Sequence, residues 1–535
     1  MCFRIKHATT LILGGILIFG NLQLSAQNKV IDRTVQYFFS DYFGALDTAF
    51  TSTQNSSTTF LIDTTYSDVI KNLKLPKYKG FISSRLFNEN WIHVSSKDYD
   101  ITLNPHYSLA VGHETSINEP IWINKRGLYL NGRFGNKIKI HSYFQEGPIS
   151  PEPFINNYIS TTRIRPGEGE VKIDGTNVFG KYLSFGGVEY KASKYVDITF
   201  AHGKNFLGDG YRSLLLSDVG ANYLFGRMDF HFGKKINYTA IVSEFIDYRP
   251  DMVQAGNMLR QKKYGSYHYL DIKLSKTFQL SLYEAIIWGG DSAARNTLEL
   301  NYLNPFAIMR PLEFGLGSPD NVLIGTAFKY TPTINMTFYG QSLLTEFFYK
   351  EFFGGNNWWG NKYALQGGAK FHNFKFAKNL FFQIEYNHIR PFTYSHRSSL
   401  TSFSNAGQPL AHPSGSNLKE GVFIANYRHK RWNMHLKSLY RVSGLENSDS
   451  TSIGTDVLRS YYQRENEFDN VIGQGVSYQQ FHNTISLSYL INPSNMLFIE
   501  GGVVNRHQII AGTNIQQNYF FIGLKTGITN NYYDF

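Results

Sequence analysis

The sequence has almost no cysteine. Cys2 is the only one in 535 residues, and it precedes the first apolar run, so it is not placed as a lipoprotein cysteine. It falls in a segment expected to be removed, which leaves the mature chain no disulfide and no thiolate metal site. Charge is scarce too: Asp, Glu, Lys and Arg make up 17% of the chain, against about 25% in soluble domains. Beyond the N-terminus there are no long apolar runs. Mean hydropathy is −0.29, and no later stretch approaches the ~20 apolar residues of a spanning helix. A hydrolase elbow, a zinc-protease helix and a Walker loop are also missing. Residues Gly203 to Gly210 are glycine-rich but lack the Lys-Ser/Thr ending of a phosphate loop. The expectation is a non-enzyme with no catalytic residue, no metal and no cofactor.

What is abundant is aromatic. Phe, Trp and Tyr make up 16% of the chain, with 36 Tyr and 43 Phe, and there are 47 Gly. A membrane β-barrel consumes aromatics in its interface girdles and polar residues in its lumen. The N-terminus reads as an export address. Arg4 and Lys6 give a basic start, Leu11 to Phe19 an apolar core, and Leu24-Ser25-Ala26 a cleavage site before Gln27. The net charge of +11 is spread along the chain without a basic run. An exported destination excludes nucleic acid, so anionic surface glycans and lipopolysaccharide phosphates are the expected partners.

From about Gly80 onward, two-residue alternation recurs between turns. Leu128, Leu130 and Phe134 share one face and Tyr129, Asn131 and Arg133 the other. After Gly135-Asn136, Ile138, Ile140 and Phe144 alternate with Lys139, His141 and Tyr143. Trp432, Met434, Leu436 and Tyr440 alternate with Asn433, His435 and Lys437. Short turns near 191–194, 233–235, 276–277, 331–332, 429–430 and 492–494 alternate with long connections at 147–180, 203–225, 343–360, 391–419 and 443–478. That rhythm predicts an all-β transmembrane outer-membrane barrel, with short turns in the periplasm and long loops outside. Counting gives about 20 candidate strands, the least defined at 101–111 and 306–314, and bacterial barrels require an even number. The predicted organisation is a signal peptide at 1–26, a periplasmic and partly helical segment at 27–79, and a barrel at 80–535. In the middle part, Val35, Phe38, Phe39, Tyr42 and Phe43 stand at helical spacing, and 65–73 suggests a second short helix. This segment either packs under the barrel or plugs it; the alternative is a disordered leader. The chain closes with an amphipathic pattern (Phe520, Ile522, Leu524, Ile528) and the aromatic Phe535, which together resemble the signal read by the barrel-assembly machinery.

Four stretches resemble the capsule-assembly family of outer-membrane proteins named Wzi and its relative in gliding Bacteroidetes named RemB. They are FAHGKNFLGDGYRSLLLSD (200–218), LNPFAIMRPLEFGLGSPDN (303–321), EYNHIRPFTYSH (385–396) and GQPLAHPSGSNLKEG (407–421). The resemblance covers most of the chain after the first hundred residues. It implies a barrel of about 18 antiparallel strands, within about 16–20, with a helical periplasmic segment. It also implies binding or anchoring of capsular polysaccharide or exopolysaccharide at the cell surface, and for RemB a link to gliding motility.

The outer connections hold the candidate glycan-binding residues. Trp358 and Trp359 lie in a Gly-Gly-Asn-Asn-Trp-Trp-Gly stretch. Sugar C–H faces stack on such rings, while a membrane-girdle anchor is the competing reading. Tyr394, His396, Arg397, His412 and Asn417 share the 391–419 connection and could bind an acidic glycan by charge and hydrogen bonds, or simply order their own loop. Asp209 and Arg212 are expected to pair and fold the 203–210 region against or into the barrel. Arg310, Glu313 and Asp320 are expected as lumen ion pairs. Two rival functions remain open on the sequence: a diffusion channel of the porin type and a membrane-embedded lipid hydrolase.

Overall fold

A computed structural model describes residues 33–38, 53–55, 78, 80–175, 177–254, 257–289, 298–346, 348–374 and 377–535. The expected signal peptide and its Ala26 cleavage site lie outside these residues. So do the continuation of the first predicted helix through Phe39, Tyr42 and Phe43, and the second helix at 65–73.

Among the described residues, eighteen strands form one closed antiparallel barrel. They are β1 (Tyr99–Glu114), β2 (Ile121–Phe134), β3 (Ile138–Glu146), β4 (Tyr182–Lys191), β5 (Val196–Gly203), β6 (Tyr223–Phe232), β7 (Ile236–Gln254), β8 (Asn257–Lys273), β9 (Phe278–Gly289), β10 (Asn321–Thr333), β11 (Met336–Glu346), β12 (Lys362–Phe374), β13 (Ala377–Ile389), β14 (Leu418–His429), β15 (Trp432–Leu445), β16 (Val476–Asn492), β17 (Leu497–Ile510) and β18 (Thr513–Thr526). Each pairs with its neighbours in sequence, and β18 closes on β1 from Tyr519↔Glu114 to Lys525↔Ser108. Closure removes the sheet edges, which lets strands cross a membrane without orphaned backbone groups.

The alternation read from the sequence is the alternation of the wall. Leu128 is 52% exposed on the outside and its neighbour Tyr129 is 4% exposed inside. Across the hairpin Phe144 faces out and Tyr143 faces in. On β15, Trp432, Met434 and Tyr440 are exposed on the outer face, while Asn433 and His435 are buried in the lumen. At one end, eight connections have four residues or fewer; at the other lie 147–181, 204–222, 290–320, 347–361, 390–417 and 446–475. By the usual sidedness of such barrels the first end is the inner one.

The candidate strand at 101–111 is the middle of β1, but 306–314 is not a strand. A 3-10 turn at Leu300–Leu303 precedes a helix at Met309–Leu316 there. Pro311 sits in that helix's first turn, where a missing N–H costs nothing, whereas inside a central strand it would break the ladder. Gly317 ends the helix in the left-handed region with φ 61°.

The lumen is filled from several parts of the chain. Helix α1 (Arg33–Phe38) lies inside the inner half, with Tyr37 stacked 5.0 Å from Phe381 and 5.8 Å from His435. This is the plugging arrangement, seen for the part of the N-terminal segment that is described. Residues 204–222 fold inward. Leu214, Leu215 and Leu216 are fully buried against Tyr223, Phe245, Tyr283 and Leu343 of the wall, and the Tyr283 hydroxyl donates to the Leu215 carbonyl at 2.9 Å. Gly208 makes the entry possible: its φ is 130°, and a Cβ there would meet Gln341 Nε2 at 1.9 Å. The third piece follows β18, which ends at Thr526 and not at Ile528. Ile528 turns inward onto Tyr129, Tyr143, Leu183 and Phe185. Residues 527–535 then run up the lumen until Phe535 packs on Phe154 and Tyr158 of α2 (Pro153–Thr162), in an outer loop.

Candidate functional site

What holds the plug is charge. Arg212 is completely buried; it donates from Nη2 to Glu420 at 3.1 Å and from Nη1 to Asp534 at 3.1 Å. Lys437 of β15 reaches the same Asp534 at 2.6 Å, and His412 lies 2.9 Å from Glu420. Glu385 of β13 accepts the backbone N–H groups of Tyr211 at 2.6 Å and Arg212 at 3.0 Å, and the Tyr339 hydroxyl at 2.8 Å. A buried ion set of this kind is stable only when all its lone pairs and protons are matched. The expected pairing of Asp209 with Arg212 does not form: Asp209 pairs with Lys329 of β10 at 2.8 Å. Sequence neighbours in a loop that folds into the lumen reach different strands, β10 for Asp209 and β14 for Arg212, so each finds its partner there. Of the two placements expected for that loop, against or into the barrel, the second is found.

Arg310, Glu313 and Asp320 are not in the lumen. Arg310 pairs with Glu313 at 3.0 Å but is largely exposed, and Asp320 accepts the Tyr302 hydroxyl at 2.9 Å. All three belong to the 298–320 segment, on the outside of the wall. Alternation along a strand gives only two opposite faces; it does not say on which side of the sheet a loop between strands lies.

The seven glycan-binding candidates divide. Tyr394, His412 and Asn417 are fully buried. The Tyr394 hydroxyl donates to the Leu214 carbonyl at 3.0 Å. The Asn417 amide donates to Thr455 Oγ1 and the Gln474 carbonyl, both at 2.9 Å, and its oxygen accepts the Gly473 N–H at 2.7 Å. These three order the 390–417 loop. Its ring of contacts also keeps His396 nearly buried, with Nδ1 2.7 Å from Thr401 Oγ1. Burial, with Lys362 and Arg397 nearby, pushes the His396 imidazole down to about 3, so it stays neutral.

Trp358 and Trp359 do come together with other groups at the outer end. Their ring centroids are 5.6 Å apart. Both indole N–H groups donate to one oxygen, Glu467 Oε1, at 2.8 and 3.0 Å. Trp359 is the buried hub: Tyr461 lies 4.9 Å away, Lys362 Nζ 4.8 Å from its ring and Arg464 4.6 Å. Tyr461 in turn meets His396 at 5.4 Å and Tyr462 at 4.9 Å. Trp358 is half-buried, and Tyr462 is 70% exposed. Burial raises the Glu467 carboxyl, but the bonds from Trp358, Arg464 and Trp359 outweigh it and hold the group below the usual carboxylate range. The result is an aromatic platform with two ion pairs around it: Arg464 with Glu467 at its edge, and the buried Lys362 with Glu346, 2.9 Å apart, beneath it. Stacking and charged hydrogen bonds can act together there. Lys362, Tyr461, Tyr462, Arg464 and Glu467 were not among the sequence candidates. The run Tyr-Tyr-Gln-Arg-Glu-Asn-Glu at 461–467 carries the same aromatic-plus-charge character as the Trp pair, but its approach to 358–359 is a matter of barrel closure.

A closed barrel of eighteen antiparallel strands, with short turns at one end and long loops at the other, defines an outer-membrane β-barrel. Its fold is like that of Wzi from Escherichia coli, described as an outer-membrane protein involved in group 1 capsule assembly and a carbohydrate-binding β-barrel. The match has a TM-score of 0.52 and 12% identity, and covers 93% of this chain and 99% of that one. Two Pseudomonas aeruginosa structures, OccK3 (OpdO) and OprD, are more distant. The first has a TM-score of 0.40 and 8% identity over 80% of this chain and 94% of that one; the second has 0.39 and 9% over 83% and 96%. No family model and no curated relative matches the sequence.

Proposed function

We propose that this protein is a non-enzymatic barrel, exported with a signal peptide cleaved after Ala26, that holds capsular polysaccharide or exopolysaccharide at the outer face of the outer membrane. A gliding-associated role for that polymer, as the RemB resemblance implies, is part of the same reading. The observation that carries it is the platform of Trp358, Trp359, Tyr461 and Tyr462 with Lys362, Arg464 and Glu467 beside it. Rings offer faces to sugar C–H groups, and the partly exposed Arg464 at their edge suits a polymer bearing carboxylates. The burial of Tyr394, His412 and Asn417 supports moving the site from the 390–417 loop to the seam between 347–361 and 446–475.

The test is binding of purified acidic exopolysaccharide to the detergent-solubilised full chain and to a Trp358→Ala/Tyr462→Ala variant. Two stacking contacts at about 1 kcal/mol each predict roughly a 30-fold loss. Heat-modifiable gel migration reports that the barrel is intact. A folded variant that binds as well as the parent would remove the platform from the proposal.

The channel reading is less well supported. A conducting barrel keeps a wet, polar lumen, whereas this lumen contains Leu214, Leu215 and Leu216 packed on aromatic wall residues. Phe535 remains a proposed assembly signal. It lies inside the finished lumen, so such a role belongs to the unfolded chain before residues 527–535 are inserted. Deletion of Phe535 should then lower the yield of barrel in the outer-membrane fraction, while Phe154→Ala, which removes the facing side of the same contact, should not.

A further inference from the structure

Residues 298–320 lie against the outside of the barrel. Tyr283 faces the lumen through its bond to Leu215, so Glu284 faces outward. Register aligns Glu284 with His268 on β8, and His268 with Ala240 on β7. Glu284 stands six residues above the inner end of β9 (278 to 284). At about 3.4 Å per residue and a tilt near 40°, this is roughly 15 Å above the inner rim, within the ~25 Å apolar band of such barrels. A carboxylate facing lipid at that depth is costly unless it is covered and paired. Both conditions are met. His268 Nδ1 lies 2.9 Å from Glu284 Oε1, and the Met309 backbone N–H donates to Oε2 at 3.1 Å. Around this clasp, Tyr302, Met309 and Leu312 pack on the outward residues Tyr264, Ile286, Trp288 and Val322. Farther down, Phe306 meets Phe230 at 5.3 Å and Tyr238 at 5.9 Å, close to the short turn between β6 and β7.

The free side of the segment carries a row of large apolar side chains: Phe314 is 83% exposed, and Leu300, Phe306 and Ile308 are each exposed by well over half. Arg310, whose long stem can carry its charge toward the interface, is exposed beside them and paired with Glu313. Water-facing loops do not present such a row. The backbone is also largely self-sufficient. Tyr302, Asn304, Ala307, Leu312, Gly317 and Ser318 all donate to carbonyls within the segment, and Phe306 N–H donates to Asn304 Oδ1. Internal satisfaction of backbone groups is what a hydrocarbon surrounding demands.

We infer that residues 298–320 form a membrane-embedded strap, whose outward side chains contact the acyl chains of the outer membrane and whose attachment point is the Glu284–His268 pair. The lipid is the occupant because the strap continues the lipid-facing surface of β6 to β10 at the same depth.

The test uses the full chain with Cys2→Ser and single nitroxide labels at Ile308→Cys and Phe314→Cys, reconstituted in phospholipid vesicles. Leu282→Cys, exposed on the outer wall, is the lipid reference and Tyr462→Cys the aqueous reference. Collision with oxygen is expected to exceed collision with a nickel chelate at 308 and 314, as at 282, with the opposite order at 462. Nickel collision dominating at 308 and 314 would overturn the inference by placing the strap in water. Low collision with both reagents would overturn it too, since a protein surface, another copy included, would then cover the strap. The two label sites are independent, so a variant that fails the heat-modifiability check leaves the other to decide.

Discussion

Arg212 and Asp534 are 322 positions apart in the chain and 3.1 Å apart in the barrel, both fully buried. Their contact ties the inward-folded 204–222 segment to the 527–535 tail, and Glu420 and Lys437 tie both to the wall.

Removing the cation should therefore be more damaging than its single position suggests. Arg212→Ala leaves Glu420 and Asp534 buried with half their partners gone, a change that costs about 3–5 kcal/mol when a buried pair is broken. Urea titration of the folded barrel, followed by gel migration, is expected to show an earlier transition for Arg212→Ala. A conservative Ser217→Ala change in the same segment should have little effect.

Conductance separates a plugged barrel from a pore. The parent protein is expected to show no sustained current in a planar bilayer. Deleting residues 527–535 removes Asp534 and the Ile528 contacts with Tyr129, Tyr143 and Phe185, and should give discrete openings. Steady current through the unaltered protein would return weight to the diffusion channel.

The outer platform should report on pH through Glu467. Its carboxyl is held below the usual range in the folded protein. The order it gives to Trp358 and Trp359 is thus fully present above the unfolded-state value of about 4.3 and is lost as pH falls through the lower folded value. Tryptophan emission is expected to stay constant from neutral pH into the usual carboxylate range and to shift only below it. In Glu467→Gln that acid transition should vanish.

The wall was legible in the sequence because period two and turn chemistry are local. Leu128 against Tyr129, or Trp432 against Asn433, needs no knowledge of the rest of the chain. The plug was legible only in outline. The glycine-rich stretch at 203–210 left open whether the loop folds against or into the barrel, and the pair expected to hold it does not form; the true partners Lys329 and Glu420 come from distant strands and Asp534 from the tail. For the same reason Trp358 and Trp359 could be singled out as aromatic loop residues, while Tyr461, Arg464 and Glu467, about a hundred positions away, could not be joined to them. The burial of Tyr394 and His412 was hidden because a polar loop that caps a lumen has the same composition as one that faces water.

The threading of the tail also bears on how the molecule is made. Arg33 donates its backbone N–H to Asn530 across 497 positions, and the β18–β1 seam joins Tyr519 to Glu114, whereas every other wall strand pairs with the one beside it in sequence. Contacts that span most of a chain are the slow ones, because the loop they close must first be gathered. Hairpins can add one after another, but the β18–β1 seam and the interior both have to wait for distant parts of the chain to converge. The closing of the ring and the filling of its lumen are therefore both late steps. Until they occur, the paired hairpins stand without the Arg212 network that joins the 204–222 segment, the wall and the tail.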